Sequence, residues 1–174
     1  MKAKGIESVF NACFSQQYGV VLQGGAVEPM YHPDKLGKIA KIFYREDYVS
    51  SALHEVAHWC IAGPERRSML DFGYAYCPPP RSYEEQQQFF SFEKKVQALE
   101  WVFSEAGKIC FHPSADNLEA TTKDFERDLF VEKLKACELL IRRPFLRAAL
   151  FRAALAEHSA GEFMQEKGGA SSYG

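Results

Sequence analysis

The chain is short of paired cysteines, of net charge and of long apolar runs, and each shortage removes a class of protein. Its five cysteines, at 13, 60, 77, 110 and 137, are odd in number and widely spaced, with no Cys-x-x-Cys. That argues against a disulfide framework or a zinc ribbon, and reduced thiols in a cytoplasmic protein are expected. A formal charge of −2 over 174 residues gives no sign of a nucleic-acid or anionic-membrane binder. No apolar run reaches membrane-spanning length, no signal-peptide pattern opens the chain, and no internal repeat recurs. What remains is ordinary globular composition, 47% hydrophobic and 25% charged, in a length that suits one domain with a sizeable core. A single domain is expected over residues 1–160. Residues 161–174, which end in a Gly/Ser-rich stretch, are expected as a flexible tail.

The most informative stretch is Ser51-Ala52-Leu53-His54-Glu55-Val56-Ala57-His58-Trp59-Cys60, which contains His-Glu-x-x-His. Val49, Ala52, Leu53, Val56, Ala57, Cys60 and Ile61 recur at helical spacing and predict a helix with one face on a core. Gly63-Pro64 ends it. Residues four apart share a face, so His54 and His58 can hold one metal ion. His32 and His112 each precede a proline and His158 lies near the C-terminus, so none of the three is read as a ligand.

In chain order, Ile6, Val9, Phe10, Cys13, Phe14 and Tyr18 predict a helix ending at Gly19. Val20–Leu22 reads as a strand, Gly24-Gly25 as a turn, 28–31 as extended, and 38–44 as a further strand. Alternating aromatics over Asp71-Phe72-Gly73-Tyr74-Ala75-Tyr76-Cys77 predict a strand or extended loop, stiffened by Pro78-Pro79-Pro80. Helices are predicted over 83–106, with Phe89, Phe92, Val96, Leu99 and Phe103 inward, over about 124–140, and from Pro144 through Leu155. The expected class is α+β, with a small mixed sheet packed on the motif helix, a long second helix and C-terminal helices. By fold analogy it is zincin-like, the sheet walling a substrate cleft.

The metal needs a third protein ligand. There is no His-x-x-Gly-x-x-His extension, because Ile61 and Pro64 stand where Gly and His would be. A carboxylate from a second helix is the usual solution. Glu93 is the preferred candidate, with Gln97 one turn on as a group that could orient a ligand, and Glu100 is held in reserve. Tyr74, Tyr76 and Arg81 are candidate cleft-wall residues. Two chemistries suit such a set. One is a zinc peptidase with Glu55 activating water, which spacing alone favours. The other is a mononuclear non-heme iron site with open positions.

Four pieces in order resemble the bacterial elongation factor P hydroxylase family. They are the run Ser51 to Gly63 with its His-Trp-Cys-Ile-Ala-Gly end, Asp71 to Pro78, Gln97-Ala98-Leu99-Glu100-Trp101, and Asp116-Asn117-Leu118-Glu119. The resemblance implies an Fe(II)-dependent monooxygenase using dioxygen as co-substrate. It would hydroxylate a lysine of elongation factor P that already carries a β-lysyl group, as the last step of that modification. On this reading His54, His58 and Glu93 hold the iron, and Glu55 orients water or moves protons. Asp71, Asp116 and Glu119, with Asn117 in the same loop, receive a long cationic side chain along which Tyr74 and Tyr76 pack. Partners other than elongation factor P, nucleic acid and membrane included, are not expected, and a monomer is. No 2-oxoglutarate signature is visible. The rival readings are the zinc peptidase and a non-catalytic module that binds elongation factor P.

Overall fold

The computed structural model describes residues 1–34, 37–74, 77–116, 123–144 and 146–169, with backbone alone at Asp124 and 163–169. Its elements in order are α1 (Ala3–Tyr18), β1 (Val20–Ala26), β2 (Met30–His32), β3 (Ala40–Arg45), α2 (Val49–Ile61), α3 (Tyr83–Ala106), α4 (Lys123–Arg142) and α5 (Arg147–Gly169). Two 3-10 turns, Arg66–Ser68 and Leu70–Gly73, lie between α2 and α3. The class is therefore mixed α+β, with one three-stranded sheet and five helices among the described residues.

The sheet order is β1-β3-β2, with β3 parallel to β1 and antiparallel to β2. Its inward residues alternate as a half-buried sheet requires: Val20 and Leu22 on β1, Ala40, Ile42 and Tyr44 on β3, and Tyr31 on β2. Gly19, at φ 59°, ends α1 in the left-handed conformation that glycine adopts without strain. The edge of β1 is covered by α1, where Asn11 donates to Leu22 O at 3.1 Å and accepts from Leu22 N at 2.8 Å.

The turn expected at Gly24-Gly25 is instead part of β1. A Cβ on Gly24 would stand 2.4 Å from Tyr44 Cζ, so this glycine makes room for a ring rather than for a reversal. The Tyr44 hydroxyl beneath it donates to Glu7 at 3.1 Å, and Glu7 also accepts from Gly24 N at 3.1 Å.

α2 buries Ala52, Leu53, Val56, Ala57 and Trp59, while Ile61, expected inward, is 40% exposed. Trp59 meets Phe10, Phe14 and Tyr18 of α1, with ring centroids 5.0–5.5 Å apart. One apolar core runs from α1 through the sheet, α2 and α3 to α5. A smaller one joins α3 to α4 through Phe90, Phe125 and Leu129.

α3 opens on a capping box between Ser82 and Glu85. Its buried aromatic near the start is Phe90, beside which Phe89 packs partly buried, whereas Phe92, expected inward, is 58% exposed. The C-terminal helix continues to Gly169, past residue 161 where a tail was expected to begin. No helix among the described residues is long and apolar enough to cross a membrane.

Candidate metal centre

His54 and His58 stand one turn apart on α2 and face α3, which lies alongside. Their Nε2 atoms are 3.1 Å from each other. Glu93 of α3 reaches the same point: its Oε2 is 3.3 Å from His54 Nε2 and its Oε1 is 3.5 Å from His58 Nε2. Among the described residues these three form the one cluster able to hold a metal ion. The side chains of His54, His58 and Glu93 are 26%, 12% and 13% exposed, so the cluster is sheltered yet open to a ligand.

The donor set fits a divalent cation. Two ring nitrogens each about 2.1 Å from a common ion, at tetrahedral or octahedral angles, lie roughly 3.0–3.4 Å apart, the separation found. Glu93 Oε2 is buried without a hydrogen-bond partner and faces only His54 Nε2, at 3.3 Å, an arrangement that a cation between them would satisfy. Electrostatics favour positive charge here as well. Burial alone would lower His54, but the hydrogen bond to Glu100 and the charges of Glu100, Glu93 and Glu55 outweigh it and push it up to about 10. A field that holds a proton so firmly also favours a metal ion. Burial, with the His54 charge adding, holds His58 well below its ordinary value, which favours the neutral imidazole that a metal ion would need.

Glu100 lies on the far side of the His54 ring, its Oε2 2.9 Å from Nδ1. Glu55 is pushed up to about 7 by burial, with the charges of Glu93, Asp71 and Glu100 adding and His54 opposing.

The wall beside His58 comes from the turn at Leu70–Gly73. Alternating aromatics predicted a strand or extended loop there. Instead Asp71, Phe72 and Gly73 have φ of 47°, 56° and 68°, three left-handed residues in a row. Phe72 is thereby driven inward. It stacks on Tyr31 (centroids 4.2 Å apart, 8°) and lies nearly parallel to the His58 ring at 6.1 Å. Asp71 braces the turn, its Oδ1 accepting from Tyr31 N at 2.7 Å. Strain of this kind persists only where packing compensates it. Tyr74 reaches the rim, its ring 5.4 Å from His58, and Arg66 covers it at 4.6 Å. Phe72 was not among the candidate site residues; the Asp-Phe-Gly order, with two residue types tolerant of positive φ, is the signal that could have marked it.

Other expected residues fall elsewhere. Gln97 does not orient Glu93. Its amide pairs with the Ser114 peptide, donating to Ser114 O at 2.8 Å and accepting from Ser114 N at 3.0 Å. A buried amide needs both ends satisfied, and one peptide unit satisfies both. Arg81 is buried rather than lining a cleft. It donates to Cys77 O, to Asp116 O and to Asp116 Oδ2, and its guanidinium lies 4.1 Å from the Phe89 ring centroid. The carboxylate of Asp116 is thus engaged by Arg81, although it stays 46% exposed. Tyr76, Asn117 and Glu119 lie outside the described residues. Sequence reasoning missed Arg147, which donates to Trp59 O, Cys60 O and Ala62 O at the end of the histidine helix.

Fold and site together define an α+β protein with a two-histidine, one-carboxylate cluster carried on two adjoining helices. Comparison with known proteins makes the class specific. The family model described as elongation factor P hydroxylase matches residues 9–167. The elongation factor P lysine hydroxylase of Haemophilus influenzae is 44% identical over 125 residues, covering 71% of this chain and 70% of that protein. The chain belongs to the elongation factor P hydroxylase family.

Proposed function

We propose that the protein is an Fe(II)-dependent monooxygenase that hydroxylates the β-lysylated lysine of elongation factor P, completing that modification. The observation that carries the reading is the convergence of His54 Nε2, His58 Nε2 and Glu93 on one point in a chain of this family. Bound iron would supply dioxygen activation of the kind two-histidine, one-carboxylate sites with open positions support. One oxygen atom enters a substrate C–H bond, and the other leaves as water with two electrons and two protons from a reductant.

The chain's own residues bind, orient and move protons. Glu55, a buried carboxyl next to His54 on the same helix, serves as a proton relay or water anchor. Glu93 and Glu100 already match the two positive charges of Fe(II). Asp71 and Glu55 add negative charge beside the cluster, partly offset by Arg66 over the Tyr74 ring, and would receive a cationic lysyl side chain. Tyr74 offers the stem of that side chain an apolar edge beside His58. The continuous core from α1 to α5 supports one catalytic domain over 1–160. The sheet packed against α2 supports a zincin-like arrangement, and the site needs no second copy, so we take the enzyme to act as a monomer. Five free cysteines support the cytoplasm, where an elongation factor works.

The test is mass spectrometry of β-lysylated elongation factor P after incubation with Fe(II)-loaded protein, a reductant and labelled dioxygen. One labelled oxygen on the modified lysine, absent with His54→Ala, is the expected result. No gain with any reductant, together with metal-dependent peptide cleavage, would return the reading to a zinc hydrolase with Glu55 as base.

A further inference from the structure

Glu93 and Glu100 are seven residues apart on α3, two turns along one face, and both contact His54. They contact opposite sides of the ring. Glu93 lies toward Nε2, the nitrogen shared with His58 and the open side of the cluster. Glu100 lies at Nδ1, 2.9 Å away, with only 8% of its side chain exposed. The two nitrogens of an imidazole point in divergent directions, so an oxygen bonded to Nδ1 cannot also reach an ion held at Nε2.

We infer that Glu100 is a positioning residue, not a metal ligand: it accepts the Nδ1–H of His54 and thereby presents the Nε2 lone pair to the metal. This rests on the metal reading above. An ionised acceptor on Nδ1–H fixes the tautomer and the ring angle, and makes Nε2 a stronger donor. His58 has no such support. Its Nδ1 is buried without a hydrogen-bond partner among the described residues, and its ring lies between Tyr74, 5.4 Å away, and Phe72, nearly parallel at 6.1 Å. The two ligand histidines are therefore held by different devices, one polar and one aromatic, and Glu100 acts on His54 alone.

The experiment titrates Co(II) into the full-length wild type and into Glu100→Leu, Glu100→Gln and Glu93→Gln, reading affinity and the visible spectrum at saturation. Glu100→Leu is expected to weaken binding about 10- to 100-fold while keeping one ion per chain and an unchanged spectrum. Glu100→Gln, whose amide oxygen still accepts from Nδ1–H, should recover most of that loss. Glu93→Gln should lose stoichiometric binding. Nitrogen-15 spectra of the Zn(II)-loaded protein add a readout that general destabilisation does not move, and one that stands if Glu100→Leu fails to fold. In wild type, His54 should carry a slowly exchanging proton on Nδ1, and Glu100→Gln should shift it upfield and speed its exchange. Unchanged Co(II) affinity in Glu100→Leu, an altered spectrum in Glu100→Gln, or metal on Nδ1 of His54 overturns this inference alone. A wild type that binds no divalent ion removes the metal reading and this inference together.

Discussion

Replacing Arg147 by methionine tests how the histidine helix is held from behind. The last carbonyls of α2 have no partner within the helix. The Arg147 Nη2 supplies one, at 3.2 Å from Trp59 O, 3.0 Å from Cys60 O and 2.8 Å from Ala62 O. Its guanidinium also lies 4.7 Å from the Trp59 ring centroid and 5.8 Å from that of Tyr18. A hydrogen bond to a charged group contributes about 1.5–3 kcal/mol net, and a partly desolvated cation–π contact about 1–2 kcal/mol. The helix end adds about 0.3–1 kcal/mol. These terms share one guanidinium and are not additive. Removing the charge also recovers the cost of half-burying it, a cost visible in the lowering of the Arg147 pKa by burial. Arg67, which donates to Ala62 O at 2.7 Å, retains part of the cap. The expected loss for Arg147→Met is therefore about 2–4 kcal/mol. In a chain of this size that is a fall in Tm of about 5–15 °C. Thermal unfolding followed by circular dichroism measures it, and Arg147→Lys should restore only part, because an ammonium lacks the planar guanidinium face that lies over Trp59. A melting midpoint equal to wild type would refute the argument that this cap sustains α2.

His54→Ala and His58→Ala should each abolish stoichiometric metal binding, measured by elemental analysis of anaerobically purified protein, while leaving the helical circular dichroism intact. Tyr44 gives a pH prediction on the alkaline side. Burial, followed by the Glu7 hydrogen bond and charge, raises its hydroxyl from 10 to about 12. The folded protein then holds that proton more tightly than the unfolded chain. The associated stability is complete below about pH 10 and is lost as pH rises through about 12. Cys60, also raised to about 12 by burial, loses stability over an overlapping range, so the difference between wild type and Tyr44→Phe isolates the tyrosine. Urea midpoints measured from neutral to alkaline pH should converge as the pH rises; a constant difference would remove Tyr44 as the cause.

Much of this protein is legible without its fold, because the signals are local. Helix α1 and its Gly19 stop, the apolar stripe of α2, and the bounds of α3 follow from periodicity and end chemistry acting within a few turns of chain. His54 and His58 share a face for the same reason: four residues is about one helical turn. What local order could not decide is what meets those imidazoles. Glu93 is preferred in sequence for the place of Gln97 one turn on, a support the fold does not make, and the alignment of α3 against α2 is what puts Glu93 at Nε2 and Glu100 at Nδ1. Gln97 and Arg81 read as site residues in sequence, yet burial obliges their polar atoms to find partners, and the loop at Ser114–Asp116 supplied them. The aromatic alternation at 72–76 predicted an extended segment, but burying Phe72 between Tyr31 and His58 outweighed local preference and forced a left-handed turn. The pairing of His54 and His58 on one face was thus determined by the sequence itself, since a helix is a short-range object. The carboxylate that joins the two histidines, Glu93, and the groups behind each ring were decided by tertiary structure, because they depend on contacts between residues that only packing brings together.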